Sequence, residues 1–93
     1  MIKVSEAKID DVVYLFEMVK KVWKYEEIVV YAKITKVNRI KNKIKILTEY
    51  NNEKWINPAN LYNDFRTPKE VEYGKEQIEK GIKTFKALQE KGL

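Results

Sequence analysis

The sequence has no cysteine and no histidine, and its three glycines, Gly74, Gly81 and Gly92, all fall near the C-terminal end of the 93 residues. Without thiol or imidazole, the chain lacks the side chains that most often act as nucleophile, neutral-pH general base or transition-metal ligand. Zinc sites, disulfide frameworks and thiol redox chemistry are excluded, and a cytoplasmic, non-catalytic protein without a cofactor is expected. Long apolar runs are also missing. Stretches such as Ile28 to Tyr31 fall far short of the roughly 20 residues a membrane helix needs. Met1 to Glu6 shows no apolar signal-peptide region, so no membrane partner is expected. Arginine is scarce: of 19 basic residues only Arg39 and Arg66 are Arg. Many Lys, Ile and Asn together are what an AT-rich coding sequence produces, so basicity alone is a weak argument for an anionic partner.

The distribution of charge says more than the net +5. Residues 1–27, 46–68 and 69–93 each nearly balance acid against base. Residues 28–45 carry Lys33, Lys36, Arg39, Lys41, Lys43 and Lys45 and no acid. A local cluster makes a local field, which is how phosphate backbones are attracted. The competing explanation is that outward lysines on a hairpin keep a sheet edge from pairing with other molecules. Arg, the better bidentate reader of phosphate, is nearly absent, which favours that second explanation.

A chain this short has room for one core, so residues 1–93 form a single domain. The first two-thirds contains no glycine. Asn takes the turn positions instead, because its short amide tolerates left-handed backbone. Lys41-Asn42-Lys43 and Asn51-Asn52 are the two clear turns. Between them Ile44, Ile46 and Thr48 alternate with Lys43, Lys45 and Leu47, the two-residue period of a half-buried strand. Upstream, Ile28, Val30, Ala32 and Ile34 alternate in the same way until the phase slips to Val37 and Ile40, which predicts a bulge near Lys36. Glu53 to Asn57 reads as a short strand, ended by a 3₁₀ turn at Pro58-Ala59-Asn60.

From Thr67 a helix begins, with a capping hydroxyl, Pro68 at the first helical position and Glu70 able to return to the cap amide. Val71, Ile78, Ile82, Phe85 and Leu88 recur at helical spacing, with Lys91 in the last turn and Gly92 as the stop. Gly74 and Gly81 each cost about 1 kcal/mol relative to Ala in a helix, and a close approach to the sheet would compensate. The N-terminal third is two-sided. Val12, Leu15, Phe16, Val19, Val22 and Trp23 fit an amphipathic helix, giving an α+β alternative with a helix at about residues 10–24. Val12 to Phe16 is also a run of strong strand formers, although periodicity locally favours the helix. Open sheet edges are costly, so a strand over residues 8–16 that closes the sheet is preferred, with residues 17–27 as a long loop. Phe16, Trp55 and Phe85 are assigned to the core.

Asp10-Asp11-Val12-Val13-Tyr14, a long loop, a bent strand, a tight hairpin and then Trp55-Ile56-Asn57-Pro58-Ala59-Asn60-Leu61-Tyr62 resembles an SH3-like small barrel over residues 8–66. The resemblance implies a fifth strand at Leu61 to Phe65, hence a mainly β fold: a five-stranded SH3-like barrel covered by one amphipathic C-terminal helix over residues 67–91. This order of elements is similar to that of uncharacterised small proteins of low-GC bacteria and their phages, for which no activity is implied. Peptide-binding SH3 domains carry an Ala-Leu-Tyr-Asp-Tyr stretch and a tandem Trp that are absent here, and Leu61 stands where their turn tyrosine belongs. Ribosome- and RNA-associated barrels of the KOW type rely on a turn glycine that this region lacks. The resemblance carries architecture and no ligand.

Two functional expectations follow. One is a non-catalytic interaction or accessory module that binds another protein through an open sheet edge or the segment Glu17 to Glu27. The other is weak, sequence-independent nucleic-acid binding through the basic hairpin of residues 33–45. Its candidate contacts are Lys33, Lys36, Arg39, Lys41, Lys43 and Lys45, with Tyr31 and Trp23 as stacking surfaces. The pairs Asp10-Asp11 and Glu26-Glu27 do not support catalysis or metal binding, because neighbours in extended backbone point to opposite faces.

Overall fold

The computed structural model describes residues 1–92, with side chains through residue 88. Four strands, β1 (Val12–Lys21), β2 (Lys24–Asn38), β3 (Lys43–Thr48) and β4 (Glu53–Ile56), form one antiparallel sheet in sequence order. Short 3₁₀ turns lie at Val4–Glu6 and Pro58–Asn60, and helix α1 spans Pro68–Gly92. The fold is thus mainly β with one C-terminal helix. The Lys91 side chain and Leu93 lie outside what is described, and α1 includes Gly92 rather than stopping before it.

The N-terminal segment is strand, which overturns the helix alternative at residues 10–24. Each residue of β1 has a partner on β2, from Val12 opposite Lys33 to Lys21 opposite Lys24. Val13 and Leu15 are buried while Phe16 and Met18 lie outward, so the apolar residues that trace one helical face are split across the two faces of the sheet. The strand begins at Val12 rather than residue 8, because Asp10 adopts φ 72°, a left-handed geometry that Asp tolerates. Nor are residues 17–27 a loop. They are the distal halves of β1 and β2, reversed in two residues at Val22-Trp23. Neither turn residue has positive φ, so the reversal is not of the primed type that hairpins favour.

Elsewhere the chain turns where Asn is placed. Asn42 and Asn51 have φ of 54° and 58°. The register slips between Ile34 and Lys36, leaving Thr35 as the extra residue, whose hydroxyl donates to the Lys45 carbonyl at 3.2 Å. Behind the sheet, Val13, Leu15, Val30, Ala32, Ile34, Ile44 and Ile46 form the core, capped by Ile2, Val4 and Leu61. Thr48 is buried among them, and its hydroxyl accepts from the amides of Tyr50 and Asn52, both at 3.3 Å, so the β3–β4 turn is fixed from within.

The expected fifth strand over Leu61 to Phe65 shortens to a single bridge. Tyr62 and Tyr14 exchange N–H to carbonyl bonds of 2.9 Å, on the edge of β1 away from β2. The sheet therefore stays open, without the continuous five-strand closure expected. Between β1 and β4 an ion pair of 2.5 Å joins Glu17 to Lys54.

Helix α1 lies on the outer face of β1 and β2. A Cβ on Gly74 would stand 3.0 Å from both Tyr31 Cδ1 and Val12 Cγ1, and one on Gly81 would stand 1.6 Å from the Glu49 carbonyl oxygen. Both glycines thus sit where backbone meets the sheet, as the compensation argument requires. Ile78 is buried, and Tyr73 meets Tyr31 edge to face at 5.5 Å. At the start of α1 the Glu70 carboxylate accepts from the Arg66 amide at 2.9 Å, one residue before the expected cap. Three aromatics assigned to the core are not in it: Phe16, Trp55 and Phe85 keep 46%, 48% and 38% of their surface exposed. Their strand or helix phase puts them on the outer face, and branched aliphatics fill the interior.

Candidate functional site

The eight residues singled out from the sequence do not form one surface. Lys36 stands directly across from Lys45, and Lys43 across from Asn38. Arg39 and Lys41 follow in the β2–β3 turn, where the Asn38 side-chain oxygen accepts from the Lys41 amide at 3.0 Å and holds the turn closed. Lys36, Arg39, Lys41 and Lys43 are exposed, and none joins an ion pair among the described residues. These four form a cationic end to the sheet. Lys45 is drawn away, with its ammonium 3.1 Å from Glu53 and 6.0 Å from the centre of the Trp55 ring. Lys33 is half-buried beside α1, lining a cavity with Asp10, Lys75 and Glu79.

The two aromatics separate from this cluster and from each other. Tyr31 is covered by Tyr73 of α1, and burial pushes its phenol up from the ordinary value, with the charges of neighbouring Tyr73, Glu70 and Glu49 adding to the shift. Its backbone is also tied to Glu49, whose carboxylate accepts from the Tyr31 amide at 2.8 Å. Trp23 sits at the opposite end of β2 from the cationic turn and is 94% exposed. Eight residues of extended chain, about 26 Å, separate it from Tyr31.

Trp23 belongs instead to a feature not read from the sequence, an arm made by the distal halves of β1 and β2. Met18, Val22 and Tyr25 beside it are 62%, 83% and 65% exposed. Lys20 and Lys24 flank the tip without an ion pair among the described residues, and Lys21 pairs with Glu26. One edge of the arm is open. Tyr14 uses its N–H and C=O to bond Tyr62 on the side away from β2, so by alternation Phe16, Met18 and Lys20 aim theirs the same way. A usable signal was present: residues 17–27 contain neither Gly nor Pro and include the strand formers Val19, Val22, Trp23 and Tyr25, which argues against a loop.

At the base of the arm lies an aromatic cluster. Tyr14 stacks on Tyr62 at 5.5 Å and meets Phe65 edge to face at 5.3 Å, while Phe16 meets Tyr62 at 5.6 Å. The Tyr14 hydroxyl donates to Asp64 at 2.5 Å. This bond, with desolvation second, pushes the phenol up to about 12, and the same bond, with a backbone hydrogen bond second, holds the Asp64 carboxyl below its ordinary value. The cluster fastens the returning chain to β1 and leaves the arm projecting beyond it.

No helix among the described residues is long and apolar enough to cross a membrane. Comparison with known protein families, with curated proteins and with solved structures finds no match for this chain.

Proposed function

We propose that the protein is a non-catalytic interaction module that binds another protein through the β1–β2 arm. The observation that carries this reading is the tip itself: Val22 and Trp23, two of the most exposed large apolar side chains, are held in a two-residue turn between paired strands. Exposed apolar groups set together on a regular scaffold are the usual mark of a binding surface. Trp and Tyr dominate binding energy because they bury much area while losing little side-chain freedom. Lys20 and Lys24 beside the tip fix the chemistry of the partner: an apolar socket ringed by acidic groups. The Tyr14–Tyr62 bridge supports reading the scaffold as an SH3-like barrel whose last strand is cut to one residue pair, with the arm as its enlarged first loop.

Affinity capture from cell extract, run with the wild-type chain and with a Val22→Ser/Trp23→Ser variant, tests the reading. Proteins retained by the wild type and lost by the variant support it. An identical set retained by both refutes it. The cationic turn supports a second, weaker reading as a nucleic-acid contact through Lys36, Arg39, Lys41 and Lys43. Affinity for a generic oligonucleotide should then fall with salt, with a log-log slope of roughly 0.7 to 0.9 per phosphate neutralised.

A further inference from the structure

At the far end of β2 from the arm, the N-terminal 3₁₀ turn, the Pro58–Asn60 turn and the β2–β3 turn border an open cleft of about 490 Å³. Its polar lining comes from Lys3, Ser5, Arg39, Asn42 and Asn57, and among the described residues no acidic one lines it. Lys3 and Arg39 are exposed and form no ion pair among the described residues. Asn57 is oriented: its side-chain oxygen accepts from the Ala59 amide at 3.0 Å, which leaves its NH₂ as a donor. Asn42 is held at φ 54° by the turn it makes. Buried Ile2, Val4 and Pro58 supply an apolar wall, and the Ile2 amide bonds the Pro58 carbonyl at 3.3 Å, locking the two turns together.

We infer that this cleft binds the phosphate monoester of an organic molecule, either a free nucleotide or the phosphorylated end of a nucleic-acid strand. Charge decides between oxyanions. A phosphate monoester carries about −1.5 to −2 near neutral pH and so gains more than a singly charged carboxylate from a lining that holds Lys3 and Arg39. A planar guanidinium can engage two phosphate oxygens at once, and Lys3, Ser5 and Asn57 offer further donors on the same lining. The apolar wall selects an esterified phosphate over the inorganic ion. This site is independent of the arm, and either can fail without the other.

The test is an amide-detected NMR titration of the full chain with adenosine, adenosine 5′-monophosphate, and an oligothymidylate with and without a 5′-phosphate. Saturable shifts at Lys3, Ser5, Asn42 and the Asn57 side-chain NH₂ are expected with the phosphorylated ligands and not with adenosine. Arg39→Gln and Lys3→Gln, both at exposed positions that keep the spectrum dispersed, should each weaken binding by about tenfold, the weight of one charge-assisted hydrogen bond. Tighter binding of the phosphorylated strand than of the mononucleotide assigns a nucleic-acid end, and the reverse assigns a small molecule. Equal response to adenosine and its monophosphate, or unchanged affinity in Arg39→Gln, would overturn the inference.

Discussion

Tyr14 and Asp64 meet across fifty residues of chain, and their bond sets an alkaline limit on the fold. The folded chain favours neutral Tyr14, so the stabilisation from this pair is fully present below pH 10 and is lost as pH rises through about 12. Asp64 has the opposite sign: its contribution is present at neutral pH and fades as pH falls below the ordinary carboxyl value. In an absorbance titration of the phenols, Asp64→Asn should return one late-titrating tyrosine toward 10, and Tyr14→Phe should remove that titration altogether. The outward phase of Tyr14 was legible from the alternation of Val13 and Leu15, but its partner was not, because Asp64 reaches it through a bridge that no local pattern encodes. Gly81 offers a second test. Replacement by Ala gains about 1 kcal/mol of helix propensity yet puts a methyl 1.6 Å from a backbone oxygen, so urea unfolding should show net destabilisation of about 1–3 kcal/mol. Gly74→Ala faces only side-chain atoms at 3.0 Å, which can give way, and its change should stay within about 1 kcal/mol.

Elements differ in how plainly they show in the sequence. The Thr67-Pro68-Lys69-Glu70 start of α1, the Asn turns and the bulge near Lys36 follow from one or two residues with restricted backbones, and each lies where those residues put it. The arm was missed because its turn, Val22-Trp23, contains none of the residues that announce a reversal, and because Val19, Val22 and Trp23 mimic a helical stripe. The arm contributes little to the core, since its tip side chains point into solvent. Val22→Ser/Trp23→Ser should therefore shift unfolding by no more than about 0.5 kcal/mol in urea, as expected for exposed positions. A larger loss would show that the tip packs on something within the chain. Of the basic residues, the stretch 36–43 kept its expected exposure, whereas Lys33 and Lys45 were claimed by α1 and by Glu53, long-range neighbours that alternation along one strand does not disclose.

For the whole molecule, composition and period separated strands from helix beyond residue 27, whereas the N-terminal third fitted both and the degree of closure was not legible. Closure depends on where the chain lands after the Pro58–Asn60 turn, which is settled by the burial of Leu61 and the Tyr14 cluster. Leu61→Ala should accordingly cost about 2–5 kcal/mol, because it empties a fully buried site at the point where the chain returns to β1. Lys54→Met, which removes the half-exposed ion pair to Glu17 between β1 and β4, should cost no more than about 1 kcal/mol. Apolar packing thus holds the scaffold, leaving the protruding hairpin free to serve as a contact.

That division of labour is tested most directly by hydrogen–deuterium exchange on the chain, alone and with a partner recovered by affinity capture. New protection is expected at the amides of Phe16, Met18 and Lys20 and around Trp23, with the β3–β4 side of the sheet unchanged. Protection confined to β3, β4 or α1, with the arm exchanging as freely as before, would contradict it.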